Sequence, residues 1–564
     1  MKKHLLSFIL LFAALPGFSQ LSNFRYFIRF TDKINSPYST ANPSAYLSAR
    51  AIQRRTNQGI AIDNLDLPVN PQYVDSLVAH GATTFNKSKW FNGVVVSVPD
   101  SATLNSLLSL PFVQNYTHVW RKTSVAGKNK FENLDGAPQN NQRNATPVSS
   151  QSYSYGLGYN QIHLMNGEYL HDLGYRGEGM IISLLDAGFY HADQLPAFDS
   201  LNADNRILQT WDFVANEASV YEDDGHGEEV LSCIAANIPD SLIGTAPKAS
   251  FYLLRSEDAP RENIIEEYNW ATAAEFADSA GTDVISSSLG YTTFDNFIFQ
   301  GDTLPSPNNH TYSDMNGNTC PSSIAADIAV SRGILVLTSA GNSGNDPWHY
   351  ISAPSDGDSV LSIGGVGPDG FHADFSSYGP SSDGDVKPNV SAQAAWTTVE
   401  GTDGFISIYG FGTSFACPVL AGSATCLWQA HPNAKVMEIH NAIQASANYA
   451  LSPNDSLGYG IPNFELAHTM LSGIDEQNGV TNALLVYPNP VKGDVRFLLR
   501  GKEKGKITAE LFDVSGKEIS SGELFSDGVH SNVISGTQSL SKGIYFLQVN
   551  AGAKTYMQRV LKIN

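Results

Sequence analysis

Residues 180–186 read MIISLLD: six apolar or small residues in a row, closed by a carboxylate, with no polar alternation. A run of this kind is a strand buried on both faces. Three more follow, ASFYLLR (249–255), TDVISSSLG (282–290) and GILVLTSAGN (333–342). Helical patterns lie between them, at Asn263 to Ser279 and Ser322 to Arg332. Buried strands alternating with helices predict an α/β domain over 155–472, a doubly wound, mostly parallel sheet with helices on both faces. Tyr291 to Asn318 interrupts it with a polar, aromatic-dotted insertion.

Outward from this centre the pattern changes. Toward the N-terminus, FRYFIRF (24–30) alternates as a strand, and KWFNGVVVSV (89–98) and Val113 to Trp120 are further strands. Helices are expected at Pro43 to Gly59, with Arg50, Arg54 and Arg55 on a solvated face, at Pro71 to His80 and at Leu104 to Leu110. Together 20–122 make a small α+β unit. Residues 123–154 are polar and without period, and read as an exposed linker. Beyond the polar joint 473–482, the runs LLVYP, DVRFLLR, KITAELFDV, GIYFLQV and TYMQRVLKI are separated by turn signals, which predicts an all-β sandwich over 483–564.

At the start, a basic Met1-Lys2-Lys3-His4, the apolar run Leu5 to Leu15 and small residues to Ser19 read as a signal peptide over 1–19, too short to be a resident transmembrane anchor. The chain of 564 residues carries 34 Lys and Arg against 55 Asp and Glu, a net charge of −21. That balance removes the counterion-release drive for nucleic-acid binding. Cys233, Cys320, Cys417 and Cys426 permit up to two disulfides, or four buried thiols.

Chemistry concentrates in three places. Ser414, in GTSFACP (412–418), follows a small-residue turn and opens an apolar helix, where free N–H groups face any oxyanion. Its base is expected at His226, in DDGHG (223–227), on a tight turn and exposed. The carboxylate that holds the base is expected at Asp186, at the end of a buried strand. The order Asp…His…Ser separates this arrangement from two other hydrolase orders. No H-E-x-x-H and no G-x-S-x-G occurs, which argues against a zincin and an α/β-hydrolase.

With these flanks, and with GTAP (244–247), SSSLG (286–290) and SAGN (339–342), the chain resembles the subtilisin-like serine peptidases, the subtilases, over about 155–470. The resemblance implies a subtilisin-like fold and a secreted endopeptidase working through Asp186, His226, Ser414 and an acyl-enzyme. It also implies an oxyanion hole from Asn342 and the Ser414 N–H, a substrate-binding edge strand at Ser288, Leu289 and Gly290, and Ala340 and Gly341 as further substrate-binding residues. The family's HGTxV is HGEEV here; Glu228 and Glu229 are two carboxylates expected to raise the base's pKa. Phe415 stands where a Met is usual, and Ser352 falls at the S1 floor, predicting a shallower pocket. No cofactor is required. Calcium is common in the family as a structural ion, but acids such as Asp193 or Asp346 are too many to single out a site. The N-terminal unit resembles a subtilase propeptide, with a maturation site in 123–154. The last unit resembles the type IX secretion sorting domains of Bacteroidetes, through Tyr487-Pro488-Asn489-Pro490, Gly543-Ile544-Tyr545 and the basic ending Arg559 to Lys562. Its partners would be protein or peptide substrates and the type IX machinery, and its destination the medium or cell surface by way of the periplasm. The rival reading is a non-catalytic surface adhesin on a peptidase fold.

Overall fold

The computed structural model describes residues 24–121, 129–131, 153–299, 302–475 and 484–563, less 488, 500–504, 515, 527–530 and 553. The segment read as a signal peptide and most of the two segments read as linkers lie outside these residues. Among them no helix is long and apolar enough to cross a membrane.

One unit comprises residues up to 37 and 68–124. Its antiparallel sheet runs β2 (Thr83–Ser88), β3 (Gly93–Ser97), β1 (Phe24–Phe30), β4 (Val113–Arg121). Helices Pro71–Ala79 and Ser101–Leu108 supply Val74, Leu77, Leu104 and Leu107 to a core with Ile28, Val94 and Val96. Alternation along the strands makes this half-buried sheet.

The second unit holds 38–67 and everything after 125. At its centre is a seven-stranded sheet: β5 (Ile181–Asp186), β6 (Ile207–Asp212), β7 (Ser250–Arg255), β8 (Val284–Ser287), β9 (Leu335–Ser339), β10 (Leu361–Val366) and β11 (Val390–Gln393). The order is β11-β10-β9-β8-β5-β7-β6, and every pairing is parallel. The chain leaves β5 toward one edge and returns at β8 to build the other. The strand ends beside β5 and β8 therefore flank the switch point, where such sheets place ligands. Burial is complete along β5, β8, β9, β10 and β11, which is why β5 carries apolar residues at neighbouring positions with no polar alternation.

Two of the three arginines of the first helix overturn the expectation of a solvated face, while Arg50 is exposed as expected. That helix, α1 (Ala49–Gln58), belongs to the same unit as Asp278 and the sheet. Arg54 and Arg55 are buried. Arg54 Nη2 lies 2.6 Å from Asp278 Oδ1, while Arg55 Nη2 reaches both Asp278 (2.8 Å) and Asp66 (2.5 Å). Arg50 pairs with Asp283 at 2.5 Å. The helical period shows which side chains share a face, but not that carboxylates wait there.

Helix α2 (His226–Ala235) packs against α4 (Thr413–Ala430), and α3 (Ile265–Ala280) against Pro321–Ser331. A Cβ at Gly422 of α4 would meet Thr245 Oγ1 at 2.1 Å, so a glycine there lets α4 close on the 244–246 turn. All four cysteines are buried, unbridged thiols. The C-terminal region forms two antiparallel sheets enclosing Val495, Phe497, Leu511, Leu547 and Val560, the expected sandwich. Helix Phe464–Asp475 extends into the segment read as a polar joint.

Asp278 contacts two buried guanidinium groups, and Arg55 keeps Asp66 as a second partner. Asp278→Ala leaves the buried Arg54 charge without its paired carboxylate and is expected to cost the precursor about 3–5 kcal/mol. A denaturant midpoint equal to that of the unaltered precursor would contradict this.

Candidate active site

Asp186 is the last residue of β5. Its Oδ1 accepts from Ala187 N at 2.8 Å and from His226 Nδ1 at 2.7 Å. Two glycines permit that contact. A Cβ at Gly227 would lie 2.3 Å from Gly188 O and 2.9 Å from Asp186 Cβ; one at Gly188, where φ is +152°, would strike the Asp224 backbone. Asp224 Oδ1 accepts from the His226 N–H at 2.9 Å and holds the first turn of α2. With Nδ1 donating to the carboxylate, Nε2 is left as the acceptor, and no partner occupies it among the described residues.

His226 is buried, against the expectation of an exposed turn, because an aromatic ring covers it. Phe131 stacks on the imidazole at 4.1 Å between centroids and 22° between planes. Its neighbour Asn129 donates to Asp224 Oδ2 at 2.5 Å. Lys130 N donates to Ala259 O at 3.1 Å, and Lys130 Nζ contacts Glu257, Glu262 (2.9 Å) and Glu266 (3.2 Å). Residues 129–131, read as exposed linker, are thus a bound strap. The one signal for it is a large aromatic beside a lysine in an otherwise polar stretch.

Burial works against the His226 cation, but Asp186 first, then Glu229 and Asp224, more than offset it, and the pKa is raised. Of the two carboxylates in HGEEV, only Glu229 acts. Glu228 is fully buried, neither oxygen has a partner, and desolvation pushes its pKa up to about 10, so it stays neutral. Glu229 Oε1 accepts from Tyr409 OH at 2.8 Å.

Ser414 lies in the first turn of α4, after Gly412 at φ +146°, a value L side chains rarely adopt. Its Oγ points at Ser288 O, 3.4 Å away, while Ser288 Oγ donates to Ser414 O at 2.7 Å. Phe415, the next residue, lies 6.1 Å from the His226 ring. Asn342 follows β9. Its Oδ1 accepts from Thr413 N at 2.8 Å and from Thr413 Oγ1 at 2.9 Å. A backbone N–H can only donate, so the amide orientation is fixed and Nδ2 faces away from Thr413.

Ser288, Leu289 and Gly290 do not form an edge strand. They extend past the C-terminal end of β8, an interior strand between β5 and β9, where the ladder to both neighbours has ended. A Cβ at Gly290 would meet Ser352 Oγ at 2.3 Å, and one at Gly341 would meet it at 3.1 Å. Ser352 Oγ, buried and without a partner, therefore sits between the 288–290 segment and the Ala340-Gly341 segment. Neither Asp193 nor Asp346 gathers with other acidic, His or Cys side chains into a possible ion site among the described residues. Asp358, Asp383 and Asp385 do so, on the surface.

Three regions of the chain match known protein families. Residues 25–135 match the peptidase S8 propeptide domain of Bacteroidota. Residues 485–563 match the secretion system C-terminal sorting domain, which assigns the protein to secretion or the cell surface. Subtilisin NAT of Bacillus subtilis subsp. natto is 29% identical over 56% of this chain and 72% of its own. The thermostable alkaline protease of Halalkalibacterium halodurans is 26% identical over 56% of this chain and 73% of its own. The crystal structure of MycP1 from Mycobacterium smegmatis, 18% identical, covers 57% of this chain and 88% of that one with a TM-score of 0.42. Residues 177–461, more than half of the chain, match the subtilase family, and the protein belongs to that family of serine endopeptidases.

Proposed function

We propose that this secreted peptidase cleaves through Asp186, His226 and Ser414 by way of an acyl-enzyme, and that residues 129–131 hold it inactive until they leave the cleft. The observation that carries the catalytic reading is the 2.7 Å contact of His226 Nδ1 with Asp186 Oδ1, which leaves Nε2 as a base with nothing bound to it. Ser414 Oγ gives its proton to Nε2 and attacks the scissile carbonyl carbon. Asp186 keeps the imidazole in its tautomer and stabilises the imidazolium. The Ser414 N–H and Asn342 Nδ2 donate to the oxyanion. The proton on Nε2 then passes to the leaving amine, and water, deprotonated by the same nitrogen, releases the acyl group. Extended substrate lies along 288–290, and Ser352 narrows the pocket between that segment and Gly341. In the precursor Phe131 covers the base, so maturation has to free 129–131. A cut within 132–152 does so, and a cut before residue 129 would not.

Ser414→Ala is expected to abolish casein hydrolysis, fluorophosphonate labelling and cutting within 132–152; labelling equal to wild type would sink the assignment. Asn342→Ala is expected to lower kcat by roughly 10²–10³ with little change in KM. An effect on KM alone would remove Asn342 from the oxyanion hole.

The base works only when neutral, so activity rises with pH through the raised pKa of His226. Removal of a nearby carboxylate lowers that pKa. Glu229→Gln should therefore move the acid limb of kcat/KM to lower pH, by up to about one unit, while Glu228→Gln leaves the limb in place because Glu228 is already neutral. A limb that moves with Glu228 and not with Glu229 would refute the assignment.

The C-terminal sandwich has a core of its own and shares no residue with the site. A chain ending at 475 should keep its peptidase activity when refolded, yet accumulate in the periplasm of a type IX-competent host. Its normal export would overturn a sorting role for 483–564.

A further inference from the structure

Three carboxylates converge on Lys130, the residue before the ring that stacks on His226. Glu257 follows β7, Glu262 lies in the next loop and Glu266 in the first turn of α3; one oxygen of each lies within 4.8 Å of the others. Glu257 and Glu266 are buried. Tyr291 OH donates to Glu257 Oε2 at 2.8 Å, and the N–H groups of Asp258 and Asn263 donate to Glu266 at 2.8 Å each. These contacts orient the cluster without neutralising it. Its cation comes from the strap: Lys130 Nζ touches all three acids, and its side chain is only 21% exposed. Even so, Glu262 Oε1 has no partner among the described residues.

A structural ion pair would keep its cation for the life of the protein. This one is delivered by a segment that has to leave the cleft for activity. The strap binds in the manner of a substrate: its main chain donates to Ala259 O, and the following residue reaches the imidazole. Since the maturation cut lies after Phe131, Lys130 stands on the N-terminal side of the bond to be broken. Once the strap leaves, three carboxylates face one another around a space shaped by an ammonium group. Burial already opposes their ionisation: it pushes Glu262 and Glu266 above the usual carboxylate range, with Glu257 adding to both and Lys130 drawing both back.

We propose that Glu257, Glu262 and Glu266 form a specificity subsite for a lysine or arginine side chain lying N-terminal to the scissile bond of the substrate, and that Lys130 occupies it in the precursor as a substrate mimic. This rests on the peptidase reading above. A divalent cation is the other occupant that three carboxylates can take; the observed occupant, an ammonium carried on a substrate-like main chain, favours the basic side chain.

The test uses mature enzyme from the full chain and fluorogenic peptides that differ only in carrying Lys, Arg, Ala or Glu at the second, third or fourth residue before the scissile bond. At one of these positions Lys and Arg are expected to raise kcat/KM roughly 10- to 100-fold over Ala, and Glu to lower it. In Glu262→Gln and in Glu257→Gln that Lys-to-Ala ratio falls toward one. Cleavage of the Ala peptide with no basic preference at any position overturns the subsite and leaves the peptidase standing, as does a ratio that neither variant changes. A rise in melting temperature with calcium chloride that Glu262→Gln abolishes, without a basic preference, overturns it in favour of a metal. Failure of the wild type to cleave any peptide overturns the subsite together with the peptidase mechanism.

Discussion

The imidazole of His226 can reach the carboxylate of Asp186 only because no side chain stands at position 227. A single Cβ there would collide with Gly188 O and crowd Asp186 itself. That close approach brings the start of α2 onto the end of β5, and much of the domain serves to keep it. The parallel sheet ends β5 and β8 side by side, α4 packs against α2, and Gly422 lets α4 press on the turn at Thr245. Asp186 and His226, 40 residues apart in sequence, meet through the tertiary fold and not through any local segment.

Buried charge is handled in two different ways. Around Asp278 the guanidinium and carboxylate groups compensate one another with short, direct contacts. At Glu228 compensation is absent, and the group avoids the cost by holding its proton. The acidic composition is therefore a poor guide to the field at the site. What reaches the base is the Asp186 carboxylate, with Glu229 and Asp224 behind it, while the acid two residues along the same helix contributes nothing.

The reach of the sequence ended where contacts depend on distant partners. Strand β5 was legible because burial on both faces leaves apolar residues at neighbouring positions. Position 412 was legible as a turn because small residues gather before the serine. Arg54 and Arg55 were not, since the helical period says which side chains share a face and is silent on Asp278, more than 220 residues away. The segment 129–131 was misread for a related reason. A short strap held by another element's carboxylates needs no period of its own, so its polarity imitates a linker. His226 was expected in solvent because flanking glycines usually mark exposed turns; here they mark close approach, and Phe131 supplies the cover.

The four cysteines set a condition on the order of events. An exported chain moves through surroundings that oxidise thiols, yet Cys233, Cys320, Cys417 and Cys426 are all reduced and enclosed. Three of them lie on α2 and α4, the helices that frame the site, and a wrong bridge among them would prevent those helices from packing. Enclosure has to outrun oxidation. No disulfide joins the four cysteines, so the finished enzyme has no covalent staple for a reductant to undo.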